Sequence, residues 1–130
     1  GDWSSDVCSS DLVDVVAGSF LDDGVPGGQD VYVLKNILHD WADDVAVGII
    51  ERVVAVAPSG ARVCVLELLL DDPVMGDVAA QVDVSMLLLT HGGRERTRDE
   101  LLSLLVRGGL VSLDARPTAA GLTVVEGVVP

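Results

Sequence analysis

The stretch "DVYVLKNILHDW", Asp30 to Trp41, decides how the chain is read. Val31, Val33 and Leu34 make its first half a β-rich apolar run, the pattern of a buried strand. The second half changes character at once. Lys35, His39, Asp40 and Trp41 fall at and just beyond the predicted strand's C-terminal end. In open α/β sheets ligands bind outside the carboxyl ends of the strands, at such a position.

The elements on either side fit that picture. Val45, Ile49, Ile50, Val53, Val54 and Ala57 recur at helical spacing within Trp41–Ala57, and Asp43 and Asp44 sit in the first turn, where the helix dipole favours them. Pro58-Ser59-Gly60 stops that helix. "ARVCVLELLL", Ala61–Leu70, is a continuous apolar run, as in a parallel strand covered on both faces. Upstream, "VDVVAG" (Val13–Gly18) predicts another short strand. Downstream, Asp77–Thr90 predicts a second helix. Thr97 and Glu100 have the spacing of a capping box that opens a third, bearing Leu101, Leu102, Leu104 and Leu105 and ending at Gly108-Gly109. "LVSLDARPT" and "LTVVEGVV" read as two strands; the short link Ala119-Ala120-Gly121 predicts an antiparallel hairpin. Alternating strands and helices predict an α/β fold with a doubly wound sheet. With few strands before its midpoint, the chain reads as the second half of such a sheet.

Composition bounds the rest. The chain has 130 residues, 49% of them hydrophobic, which suffices for one domain with a real core. Mean hydropathy is +0.47. No run of about 18 apolar residues suggests a membrane span, and no basic start precedes an apolar stretch. The apolar excess points to a surface meant for a partner or a missing half-domain. A net charge of −13 with 8 Lys plus Arg argues against nucleic acid and against an anionic membrane. Cys8 and Cys64 show no metal-ligand spacing, and Cys64, inside an apolar run, reads as a core thiol in a reducing, cytoplasmic setting.

Two acids raise His39 above an ordinary surface histidine. Glu67 lies inside the apolar run "VLELLL", where a carboxylate is costly unless partnered. It either faces the His39 strand end or pairs with an Arg such as Arg62 or Arg94. Glu95, in "GGRERT", either closes over the same strand end or is a solvated loop charge. A histidine oriented by carboxylates is a general base. His91 is the only other histidine and lies far along the chain, so no metal site is expected.

At this point the motifs become specific. "DVYVLKNILHDW", then "LEL" on the next strand, then "GGRERTRDELLSLLVRGGL" resemble the S-adenosylmethionine-dependent O-methyltransferases of the caffeate, flavonoid and bacterial polyketide-tailoring type. The resemblance covers roughly residues 13–130. It implies the C-terminal half of a Rossmann-like methyltransferase sheet ending in an antiparallel hairpin. It implies His39 as catalytic base, with Glu67 and Glu95 orienting it. It implies S-adenosyl-L-methionine as cofactor, met by Lys35, by Trp41 near the adenine, and by Gly18-Ser19-Phe20. The last matches a Gly-Asp-(Phe or Met) motif whose acid meets the adenine amine. Ser19 departs from that acid. Asp40, Asp83, Ser85 and Met86 match positions facing the acceptor, a small, aromatic hydroxyl compound, and Ser85 departs from a common Asn.

The resemblance also implies parts this sequence does not show. These are a glycine-rich cofactor loop, an acid for the ribose hydroxyls, and an N-terminal helical domain through which the full-length protein forms a homodimer. The chain alone is therefore expected to be inactive. Asp2–Leu12 resembles the in-frame translation of a short-read sequencing adapter, so residues 1–12 are expected to be an artefactual or disordered leader and residues 13–130 a partial methyltransferase domain; a genuine acidic, Ser-rich tail is the alternative. The competing function is a degenerate, non-catalytic partner module. A dehydrogenase would need a Gly-x-Gly-x-x-Gly fingerprint, and "VVAGSF" is not one.

Overall fold

Val63, Val65 and Val125 are fully buried and mark the face on which the sheet is packed. The computed structural model describes residues 12–130. Among them, strands β1 (Val31–Lys35), β2 (Arg62–Glu67), β3 (Val111–Pro117) and β4 (Thr123–Val128) form a four-stranded sheet in the order β1-β2-β4-β3. β1 and β2 run parallel, with Val31 opposite Arg62 and Lys35 opposite Leu66. β4 lies between β2 and β3 and is antiparallel to both, so the closing hairpin is present as expected. Helices α1 (Asp43–Val56), α2 (Gly76–Leu89) and α3 (Arg98–Arg107), with a 3-10 turn at Leu38–Asp40, complete the mixed α/β architecture. No helix among the described residues is long and apolar enough to cross a membrane. The leader expected at residues 1–12 lies, apart from Leu12, outside the described residues.

The core lies between one sheet face and two helices. Ile49, Ile50 and Val53 of α1 and Leu101, Leu104 and Leu105 of α3 pack with Tyr32, Val63, Val65 and Val125. Full burial of such side chains contributes roughly 1.5–3 kcal/mol each. The capping box that opens α3 is complete: Thr97 Oγ1 accepts the Glu100 N–H, and the Thr97 N–H donates to Glu100 Oε2.

Three expectations change. Val13–Gly18 is not a strand; Val13 makes a single bridge and the segment lies outside the four-stranded sheet. Four apolar residues broken by Asp14 and closed by Gly18 are too short a pattern to specify a strand. β2 is not covered equally on both sides: Val63, Val65 and Glu67 are buried, while Arg62, Cys64 and Leu66 face a more open side with Val31 and Val33. On α1 the buried stripe includes Ala46 and Val47, and Val45 is exposed, because the helix turns Ala46, Ile50 and Val53 squarely onto the sheet. α2 stands apart, with Ala79 its only buried residue and Leu87, Leu88 and Leu89 largely exposed.

Gly108 reports how closely α3 approaches α1. A Cβ there would overlap Ile50 Cγ2 and come within 2.7 Å of Ile50 Cβ. Gly108→Ala is therefore expected to destabilise the fold by roughly 1–3 kcal/mol through overpacking. Urea unfolding measures it, and an unchanged midpoint would contradict the close crossing.

Candidate active site

The two-residue period of β2 places the first acid. Glu67 follows Val63 and Val65 on the core-facing side, at the strand's C-terminal end, with its side chain 3% exposed. The histidine comes from β1. After Lys35 the chain leaves the strand through Asn36, whose φ of +53° lies in the left-handed region that Asn tolerates. The Asn36 N–H still donates to Leu66 O, so the turn begins in register with β2. Leu38 is fully buried and anchors the 3-10 turn, leaving His39 at its rim. Glu67 Oε1 accepts the His39 backbone N–H at 3.3 Å, and Glu67 Oε2 lies 3.8 Å from His39 Nδ1.

The second acid comes from the loop between α2 and α3. Glu95, fully buried, brings Oε1 to 2.6 Å from His39 Nδ1. Gly93 makes this approach possible: a Cβ there would lie 2.5 Å from His39 O and overlap Thr90 Oγ1. On the other side of the ring, Asp40 Oδ1 is 3.4 Å from Nε2. The structure thus brings His39, Glu67, Glu95 and Asp40 together. The alternative pairing of Glu67 is not formed, because Arg62 pairs with Glu126 and Arg94 with Glu100.

The electrostatics follow from that packing. The Glu95 hydrogen bond holds the His39 imidazolium and raises its pKa; burial opposes this, and the charges of Glu67, Glu95 and Asp40 add to the rise. Burial pushes the Glu67 carboxyl up to about 7, with His39 pulling the other way. Glu67 Oε2 and Glu95 Oε2 are buried without hydrogen-bond partners among the described residues. His39, Glu67 and Glu95 could together ligate a cation, with ligand atoms within 4.8 Å of one another. The 2.6 Å Nδ1–Oε1 separation is, however, that of a hydrogen bond, not of two ligands around one ion.

The remaining sequence candidates lie around this centre. Asp83 Oδ1 accepts the Glu95 N–H at 2.8 Å. Ser85 is exposed, its hydroxyl donating to Gln81 O, and Met86 is half-buried. Lys35 is exposed on the Val31 and Val33 side of β1, its side chain making no hydrogen bond or ion pair among the described residues. Trp41 packs against the core, and its carbonyl accepts from Arg96. Ser19 Oγ accepts the Leu21 N–H and the Ser19 N–H donates to Asp23 Oδ2. Phe20 and Asp23 line a hollow of about 460 Å³ with Val16, Gly18, Val25 and Pro26. The sequence reading missed Arg96, which is buried and donates to Leu38 O, Trp41 O and Asp43 Oδ1. Its signal was weak, one charge among several in "GGRERT" next to a helix cap.

Comparison with known proteins places this geometry in context. The profile of the O-methyltransferase domain matches residues 5–111. The O-demethylpuromycin-O-methyltransferase of Streptomyces alboniger is 45% identical over 101 residues, 76% of this chain and 27% of that protein. The crystal structure of LaPhzM superposes with a TM-score of 0.86 at 31% identity, covering 100% of this chain and 39% of that one. NcsB1 from neocarzinostatin biosynthesis, in complex with S-adenosyl-L-homocysteine and 1,4-dihydroxy-2-naphthoic acid, superposes with a TM-score of 0.74 at 38% identity, covering 85% of this chain and 32% of that one. The chain spans about a third of the length of the curated relatives it matches.

The buried acid makes stability depend on pH. Folded Glu67 holds its proton up to about 7, against an ordinary 4.5 when unfolded. Between those values the folded state binds more protons, so stability falls as pH rises, and the raised His39 extends the fall above its ordinary 6.5. Glu67→Gln removes the first part. Relative to the wild type it should gain up to about 3 kcal/mol between about pH 4 and about pH 8. Urea unfolding across that range tests it; a constant difference between the two proteins would show that Glu67 titrates alike folded and unfolded.

Proposed function

The chain belongs to the O-methyltransferase domain family, and from that premise we propose that it is the base-bearing part of an S-adenosylmethionine-dependent O-methyltransferase acting on a small aromatic hydroxyl compound. The observation that carries the reading is the 2.6 Å contact between His39 Nδ1 and Glu95 Oε1. Glu95 accepts the Nδ1–H and so fixes the tautomer in which Nε2 carries the free lone pair. The acceptor hydroxyl approaches Nε2 on the side of Asp40, the more exposed of the acids around the ring. Its proton moves to Nε2. The imidazolium that forms is stabilised by Glu95 and Glu67 in a site with little competing water. The charge on His39 thus grows as the acceptor oxygen becomes nucleophilic, where a buried carboxylate is most effective.

When bound, S-adenosylmethionine supplies an electrophilic methyl group on its sulfonium. An adenosine end requires a flat apolar surface and an acceptor for its amine. The Val16–Pro26 hollow offers Phe20 and Val25 for the first and the Asp23 carboxylate, beside Ser19, for the second, so the residues present fit that end. We assign Ser19, Phe20, Lys35 and Trp41 to the cofactor side, and Asp40, Ser85 and Met86 to the acceptor side. The isolated chain is proposed to be insufficient for turnover, since it spans about a third of its relatives and transfer requires both reactants held in line. The full-length protein is proposed to be a homodimer formed through an N-terminal helical domain, as the family resemblance implies. A non-catalytic partner module would have no need of a buried His–carboxylate pair with this geometry.

In the intact enzyme, His39→Ala should lower kcat by roughly 10²- to 10⁴-fold, with the KM for S-adenosylmethionine little changed. The wild-type rate should rise with pH as His39 loses its proton, and Glu95→Gln should move that rise to lower pH, because the bond that raises the imidazole pKa is weakened. Transfer of labelled methyl to a panel of phenols measures both. Wild-type turnover by His39→Ala would remove the base from this mechanism.

A further inference from the structure

α2 is held to the site by its inner stripe. Ala79, Asp83, Met86 and Thr90 follow one another at helical spacing, and the loop that carries Glu95 is fastened to that stripe at both ends. At its start, Thr90 Oγ1 donates to Met86 O at 2.7 Å and accepts the Gly93 N–H at 2.8 Å. At its end, Asp83 Oδ1 accepts the Glu95 N–H at 2.8 Å. Between the two, Gly93 rests on the His39 backbone with no room for a side chain.

The Glu95 carboxylate has little else to direct it. Its Oε1 meets His39 Nδ1, while its Oε2 has no hydrogen-bond partner among the described residues. The direction of the carboxylate therefore depends on where its own peptide is held. We propose that Asp83 is a positioning residue for the base: by accepting the Glu95 N–H it sets the Glu95 peptide so that the carboxylate grips His39, and it ties the base to α2. The inference rests on the reading of His39 as the base. It moves Asp83 from contact with the acceptor to control of the residue that orients His39.

The consequence is directional. The charged groups that face the His39 ring are Glu67 from β2, Glu95 from the 90–96 loop and Asp40 from its own turn. Asp83 reaches His39 only through Glu95. On this proposal, loss of Asp83 acts on His39 by loosening the Glu95 contact. A neutral acceptor of the same shape keeps the hydrogen bond, and so keeps the effect.

The titration of His39 in the 130-residue chain, followed by NMR of the ring protons and nitrogens, tests this without cofactor or turnover. In the wild type the midpoint is expected above the ordinary histidine value, because the Glu95 hydrogen bond favours the charged ring. Asp83→Ala should lower it most of the way to the value found in Glu95→Gln, while Asp83→Asn should leave it near the wild type. An Asp83→Ala chain that folds and keeps the wild-type midpoint overturns the proposal. An equal fall in the Ala and Asn variants also overturns it, since charge at a distance would then be the cause. If Asp83→Ala does not fold, the wild type still decides: a scalar coupling across the hydrogen bond from the Glu95 amide nitrogen to the Asp83 carboxylate carbon is expected, and its absence refutes the clamp. Wild-type turnover by His39→Ala in the intact enzyme, with the Asp83 effect on titration present, would instead remove the functional reading and leave the clamp standing.

Discussion

The buried guanidinium of Arg96 is the constraint on which the site depends. It donates to Leu38 O at 3.0 Å and Trp41 O at 2.8 Å, the carbonyls on either side of the His39-Asp40 pair, and to Asp43 Oδ1 at the start of α1. Its own carbonyl accepts the Leu70 N–H at 3.0 Å, just past the end of β2. One residue thus joins the turn that carries His39, the helix that follows it and the strand that ends in Glu67. Glu95 is its immediate neighbour in the chain. Arg96 thus anchors the chain on one side of Glu95, while the Glu95 N–H itself is held by Asp83. Removing one partner from a buried charged group costs about 3–5 kcal/mol, enough to loosen all three elements together.

The sequence made some of this legible and hid the rest, for physical reasons. A carboxylate in an apolar run demands a partner, so Glu67 stood out, and the period of β2 carried it to the core side two residues beyond Val65. Asn36 before the His39 turn and the Thr97–Glu100 pair are local signals that the backbone obeys. Arg96 could not be ranked against Arg94 from sequence. Both are arginines in one loop, yet Arg94 is solvated beside Glu100 while Arg96 is buried. That difference is set by which way a loop turns, and only tertiary packing decides it. Asp83 is an intermediate case. A carboxylate on the helical stripe of Ala79 and Met86 signals an inward partner, but spacing does not say that the partner is a backbone amide. The strand expected at Val13–Gly18 failed because a short apolar run broken by Asp14 does not separate strand from loop, and tertiary packing decides.

Charge within the site is unbalanced by design of the packing. Glu67, Glu95 and Asp40 surround one imidazole, and no Lys or Arg among the described residues pairs with the two buried acids: Arg94 is engaged by Glu100, and Arg96 by Asp43 and backbone carbonyls. Two like carboxylates in a dry site cannot both stay ionised cheaply. Burial accordingly pushes Glu67 toward its protonated form, while His39 is drawn toward its charged one. The arrangement favours positive charge on the ring. For a base this increases the affinity for the proton it removes, and it reduces the fraction of free base at low pH. The two effects oppose each other, so the useful range lies above the raised His39 pKa, where the ring is free and still strongly basic.

The parts that hold His39 and the parts proposed for the ligands differ in how the fold secures them. His39, Glu67, Glu95 and Arg96 are joined by bonds between β2, the 3-10 turn, α1 and the loop before α3, and all but His39 are fully buried. Lys35, Ser85 and the outer leucines of α2 are exposed, and Ser19 bonds only within its own turn. Substitutions on the exposed side of α2 therefore disturb few core contacts, whereas Asp83 and Thr90, on its inner stripe, are tied to the loop that carries Glu95. The outer face of α2 is thus free to vary in sequence while its inner face keeps Glu95 in place.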